Sequence, residues 1–236
     1  MRLSEVFDYL SQGELAHLDL GGNTSGDIDT DNYTKVITNL NLALAELHKR
    51  FPVKVRELVL RQQDHIAEYN LNAKHAVTNP YGTDDSQYPK YIDDSAYSPF
   101  TDDILIIEAV FNELGEEVPL NDENKIWSVF TTSPTTLAIP YPDSNNALFI
   151  QYRAAPVKIP TTVVDPSTVE IDLPVQYAEA LLNYVAHRIF SSMNMNSPEA
   201  TNYYSKFEAS CKMLENTGMT QRSNPTNMRL ENNGWL

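Results

Sequence analysis

At Pro52 the spacing of apolar residues changes from about 3.6 to 2, and this switch separates a helical beginning from a strand-forming middle. Before it, Val36, Ile37, Leu40, Leu44 and Leu47 recur at helical spacing behind Asp29-Thr30-Asp31-Asn32, side chains suited to capping a helix start. The helix ends near Phe51, because a residue that precedes proline is pushed out of the helical region. After Pro52, Val53, Val55 and Glu57-Leu58-Val59-Leu60, then Ile66 and Glu68-Tyr69-Asn70-Leu71, alternate as strands do. A β-hairpin is expected here, with Gln62 to His65 as its turn.

The helical period also appears at both ends of the chain. Leu3, Val6, Phe7 and Leu10 predict a short amphipathic helix over Leu3 to Leu15, capped by Ser4. Pro174 suits a first helical turn ahead of Tyr177, Leu181, Val185 and Ile189. Ser197-Pro198-Glu199 gives a cap, a first-turn proline and an early acid before the stripe Tyr203, Tyr204, Phe207, Cys211 and Leu214, which stops at Gly218. These two helices form a hairpin. Between the ends, Ile104 to Phe111, Trp127 to Thr132, Thr136 to Ile139, Ala147 to Tyr152 and Thr168 to Ile171 read as short strands punctuated by prolines. The predicted fold class is α+β. Residues 1–52 with 173–218 make a helical bundle, 53–172 an inserted antiparallel β-sheet or sandwich module, and 219–236 an extended C-terminal tail.

Charge and composition exclude several functions. With 17 Lys+Arg against 32 Asp+Glu, a formal charge of −15, the chain repels phosphate on average, and sequence-specific nucleic-acid binding is not expected. One cysteine allows no internal disulfide and no Cys-cluster zinc site. Glu5 and Asp8 interrupt any secretory apolar region near the start, and no window approaches the roughly 18 apolar residues of a membrane span. A soluble protein made in a cytosol is expected, with no membrane partner.

The candidate chemistry is weak. Gly21-Gly-Asn-Thr-Ser-Gly26 has P-loop glycine spacing, but Asp27 and Ile28 stand where the phosphate-binding Lys and the metal-binding hydroxyl belong. Asp27, Asp29 and Asp31 open like a calcium loop, yet Asn32 replaces its Gly and Thr38 its bidentate Glu, so capping is the better account. The pairs Asp84-Asp85, Asp93-Asp94 and Asp102-Asp103 sit in the stretch Asn79 to Asp103, read as a structureless loop, where adjacent acids stay solvated and unshifted. His187 is assigned a surface or capping role, and Cys211 that of a small buried hydrophobe. No enzyme, cofactor or metal is expected. Tyr81, Tyr88, Tyr91 and Tyr97 in the acidic loop suit contact with another protein. The Asn-rich stretch Met219 to Leu236 cannot form a core alone and suits an extended segment laid against a partner, with Trp235 as its anchor.

The helices ending in Arg50-Phe51, the β-rich middle, the segment Leu173-Pro-Val-Gln-Tyr-Ala-Glu-Ala-Leu-Leu-Asn-Tyr-Val-Ala-His-Arg188 followed by Tyr203-Tyr-Ser-Lys-Phe207, and the polar tail together resemble the head-to-tail adaptors of short-tailed bacteriophages, the tail tubular protein A-like connectors. The resemblance implies a virion structural protein assembled in the host cytoplasm and placed at the virion neck. It implies a ring of about twelve copies joining the portal protein to tail nozzle or fibre proteins, with genomic DNA passing through unbound. On this reading Arg222, Asn227, Arg229, Leu230, Trp235 and Leu236 of the tail bind the portal. Val36, Leu40, Tyr184, Arg188, Tyr203 and Phe207 meet the neighbouring subunit. The competing readings are a carbohydrate-binding or fibre-attachment β module, whose acidic Tyr-rich loop meets sugar, and an acid-based hydrolase.

Overall fold

A computed structural model describes residues 1–16, 18, 28–79, 87–162, 165–193 and 197–217. The chain is mixed α+β, with four α-helices and two antiparallel sheets among these residues. It divides into two compact units, Met1–Asn39 with Val163–Leu236 and Leu40–Thr162. The boundaries expected at 52/53 and 172/173 therefore fall instead at 39/40 and 162/163. A helical period marks one element from end to end and carries no information on what each half packs against.

In the first unit, α1 (Leu3–Gln12) buries Leu3, Val6, Phe7 and Leu10. Ser4 does not cap it. The helix starts two residues earlier than a Ser4 cap requires, and Glu5 accepts the Arg2 backbone N–H at 2.9 Å. The segment expected as a strand over Thr168 to Ile171 instead follows a single 3₁₀ turn, Pro166–Thr168, and lies against the amino-terminal residues. Leu3 N–H donates to Val169 O (3.0 Å) and Ile171 N–H to Met1 O (2.8 Å), with an isolated bridge between Arg2 and Glu170. Helix α2 (Thr30–Arg50) begins just after Asp29, whose Oδ1 accepts from Thr30 N–H at 2.6 Å and whose backbone C=O accepts from Asn32 N–H at 2.9 Å. After a 3₁₀ turn at Val175–Tyr177 come α3 (Ala178–Met193) and α4 (Pro198–Asn216). Ser197 Oγ accepts from Ala200 N–H at the start of α4.

The second unit opens with the C-terminal half of α2. Asn41 exchanges two 2.9 Å hydrogen bonds with the Ile159 backbone, and buried His48 places Nδ1 3.1 Å from Ala154 O. These side chains tie the helix to the strand unit and account for the boundary. The strands are β1 (Val55–Arg61), β2 (Glu68–Asn70), β3 (Ile92–Asp93), β4 (Ile104–Phe111), β5 (Glu117–Val118), β6 (Phe130–Ser133), β7 (Thr136–Ala138) and β8 (Ala147–Ala154). One sheet runs β3-β1-β8-β4-β5 and the other β2-β7-β6.

The expected hairpin between β1 and β2 does not form. β1 pairs with β8 from Val55↔Arg153 to Arg61↔Ala147, while β2 pairs with β7 in the other sheet. The intervening segment leaves the first sheet at Gln63, whose backbone N–H and C=O both bond the buried Tyr69 hydroxyl (2.8 and 3.2 Å). Alternation with period 2 tells which face of a strand is buried and not which strand lies beside it. Both sheets contribute to one apolar core, with Leu58, Leu60, Val110, Ile150 and Tyr152 from the first and Tyr69 and Leu137 from the second.

The described part of the stretch 79–103 is also ordered by specific contacts. It supplies β3, buries Tyr91 and Phe100, and stacks Tyr91 on His75 at 4.4 Å. Tyr69 and Tyr91 meet edge to face at 5.1 Å, and the Tyr91 hydroxyl donates to Asn70 O at 2.8 Å. Burial raises the pKa of both phenols, so each remains a proton donor.

Candidate functional site

The segment that carries the resemblance folds as an antiparallel hairpin of α3 and α4. Tyr184 meets Phe207 at 4.8 Å, Phe190 stacks on Tyr203 at 5.4 Å with planes 11° apart, and His187 Nδ1 lies 2.9 Å from Ala200 O. His187 thus joins the middle of α3 to the first turn of α4 and caps neither helix there, because the carbonyl it meets is not an orphan end group. The Tyr203 hydroxyl donates to Glu14 O (2.9 Å), tying α4 to the residues after α1. Its pKa is raised, chiefly by burial and then by the Glu14 charge. Lys206 Nζ lies 4.9 Å from the centre of the same ring.

These contacts sort the six residues proposed to meet a neighbouring subunit. Val36, Leu40 and Phe207 are buried within their own chain, so the interface role assigned to them is corrected. A side chain with no surface left has none to give a neighbour. An apolar stripe on a helix looks the same whether its own core or another molecule covers it. Tyr184 and Tyr203 are half-buried and Arg188 is exposed, which leaves those three able to reach a partner. Tyr204, exposed beside Tyr203 and 5.1 Å from the His187 ring, belongs to the same face and was missed. Its signal was its place on the outer side of the α4 stripe, next to Tyr203.

The acidic stretch does a different job from the one expected. Asp94 accepts from Thr78 Oγ1, from Thr78 N–H (2.9 Å) and from Phe100 N–H (2.9 Å). Asp102 accepts from Ala73 N–H at 2.6 Å while holding a left-handed backbone, φ 56°. Asp103 pairs with Arg56 at 2.8 Å and accepts from the Tyr152 hydroxyl at 3.0 Å. Arg61 grips Asp93 through Nε at 2.9 Å. The expectation that these acids stay solvated and unshifted is therefore corrected for Asp94; Asp102 and Asp103 likewise tie down the backbone and side chains around them. Asp84 and Asp85 lie outside the described residues.

Asp94 gives a pH dependence whose sign follows from its partners. Burial alone would raise its pKa, but the Thr78 and Phe100 hydrogen bonds outweigh burial and hold the carboxyl below the usual range. A carboxyl depressed by folding stabilises the fold fully above its unfolded pKa, about 3.9, and that contribution is lost as pH falls through the lower folded value. Asp94→Asn should therefore flatten the acid limb of the melting profile below about pH 4. Thermal melts from pH 5 to 2 check this, and an unchanged limb in the variant would rule it out.

Among the described residues no group of three or more His, Cys, Asp or Glu is placed to hold a metal ion, and no helix is long and apolar enough to cross a membrane. Cys211 is fully buried on α4, as its place in the apolar stripe predicts. The P-loop-like stretch 21–26, Asp27, and the six tail residues Arg222, Asn227, Arg229, Leu230, Trp235 and Leu236 lie outside the described residues. No protein-family model matches the chain, and a search of curated proteins returns no match.

Proposed function

We propose that the protein is a structural component of a virion, a head-to-tail adaptor of short-tailed bacteriophages that closes into a ring between the portal protein and the tail. In this reading the terminal helices form a bundle, the two sheets of the second unit stack as a sandwich, and 219–236 extends as an arm onto the portal. The observation that carries the reading is the α3–α4 hairpin. The stretch most like the adaptor family folds as paired helices whose inner aromatics are consumed by packing, while Arg188 and Tyr204 stay at the surface. An exposed Arg on one helix and an exposed Tyr on its partner are the residue types from which protein interfaces draw their anchors. A head-to-tail contact whose rotation closes turns one such face into a ring.

The charge of −15 fits a DNA conduit. Each Lys or Arg contact with phosphate adds affinity and slows passage, whereas an acidic wall leaves the duplex free to move. Purified protein is expected not to retard duplex DNA on a gel even at low salt.

Native mass spectrometry of the protein mixed with its portal should show a closed ring of copies. A monomer or trimer that binds glycans would support the carbohydrate-binding class instead. Deleting Asn224 to Leu236 should leave the melting temperature unchanged and abolish portal attachment, measured by co-sedimentation. Attachment at the full-length level would refute the tail assignment.

A further inference from the structure

One end of the second unit displays four large apolar side chains to water. Leu114, in the turn between β4 and β5, is 84% exposed; Ile126 and Trp127, before β6, are 72% and 70% exposed; Tyr141, between β7 and β8, is 59% exposed. Trp127 and Tyr141 stand edge to face at 5.7 Å. With Leu114 they flank a groove of about 490 Å³ floored by Val118, Val129, Ile139 and Leu148. Single exposed hydrophobics are ordinary, but several from three separate loops around one concavity mark a binding surface.

The polar rim of the groove shows what kind of ligand fits. Glu113 and Asp143 line it, and among the described residues no Lys or Arg does. Glu113 Oε1 accepts from Ala147 N–H, Gln62 Oε1 from Asp143 N–H, Asn112 Oδ1 from Leu114 and Glu116 N–H, and Asp143 from Asn145 and Asn146. These hydrogen bonds fix the loops and occupy much of the capacity that a sugar's hydroxyls would need. What remains available is apolar area and negative charge. Complementary charge at the rim of an aromatic-anchored patch selects a partner's sign.

We infer that this groove docks an extended segment of another protein that presents a large apolar side chain beside Lys or Arg. The inference rests on the second unit alone and stands apart from the ring reading. The test is selection of a random dodecapeptide display library on the full-length protein, with a parallel selection on Trp127→Ala. Trp127 is largely solvated, so its removal should leave the melting temperature unchanged, and that melt is the control. The expected result is enrichment of peptides carrying an aromatic or Leu next to Lys or Arg. Synthetic copies should bind at least ten-fold more weakly to Trp127→Ala and several-fold more weakly to Glu113→Gln/Asp143→Asn. Equal enrichment on both proteins, or winners without basic residues, overturns the inference. So does concentration-dependent self-association that Trp127→Ala abolishes, which would assign the groove to a second copy. Glycan-array binding lost in the same variant would assign it to sugar.

Discussion

Arg153→Met is expected to lower the stability of the strand unit by about 3–5 kcal/mol, the cost of breaking a largely buried ion pair by removing one member. Arg153 Nε meets Glu108 Oε1 at 2.6 Å, and the two side chains are only 21% and 9% exposed. The same guanidinium donates from Nη1 to Lys49 O (2.9 Å) and Arg50 O (3.2 Å), the last carbonyls of α2, which no helical N–H can reach. One side chain thus neutralises a carboxylate on β4 and caps a helix. The methionine variant loses both contacts. Replacing Glu108 as well, with leucine, should recover most of the loss, because the buried charge goes with it, while the cap stays lost. Urea unfolding of wild type, single and double variants measures all three. A single variant within about 1 kcal/mol of wild type would mean that the pair is solvated and the argument wrong.

The second large effect separates folding from assembly on one helix hairpin. Phe207→Ala removes a buried ring in contact with Tyr184 and should destabilise by about 3–5 kcal/mol. Tyr204→Ala and Arg188→Glu alter surface side chains and should each change stability by no more than about 0.5 kcal/mol. If the exposed face joins neighbouring subunits, the double surface variant loses the ring in native mass spectrometry while its melting temperature holds. Rings formed by that variant as by wild type would remove this face from the subunit contact. A Phe207→Ala protein as stable as wild type would show that the helices do not pack as described.

The helices were readable because their evidence is local. Asp29 before α2, Ser197-Pro198 before α4 and the four-residue steps from Tyr177 to Ile189 each lie within one or two turns of what they determine. β4 was legible for a related reason: Ile104 to Phe111 is an unbroken run of apolar and β-branched residues with one acid, Glu108. Pairing was not legible. Leu58 and Leu60 announce a buried face equally well whether the neighbour is β2, a few residues on, or β8 near the far end of the unit. Asp94 and Asp103 were misread because their partners, Thr78, Phe100, Arg56 and Tyr152, come together only once β1, β4 and β8 are assembled. The groove was missed because Leu114, Trp127 and Tyr141 come from three loops whose convergence depends on both sheets, and Trp127 was assigned to a strand that begins only at Phe130.

The pairing of β1 with β8 also governs the order in which this chain can mature on the ribosome. β1 is the first strand to emerge and its main partner the last, so the central ladder of the larger sheet waits for the whole unit to be synthesised. The amino-terminal residues wait longer still, since Met1 and Leu3 bond to residues 169–171. Closure over such separations places folding toward the slow end for domains of this size, and unpaired strands stay open to aggregation until it is complete. Slower, cooler synthesis should therefore raise the soluble fraction of the recombinant protein.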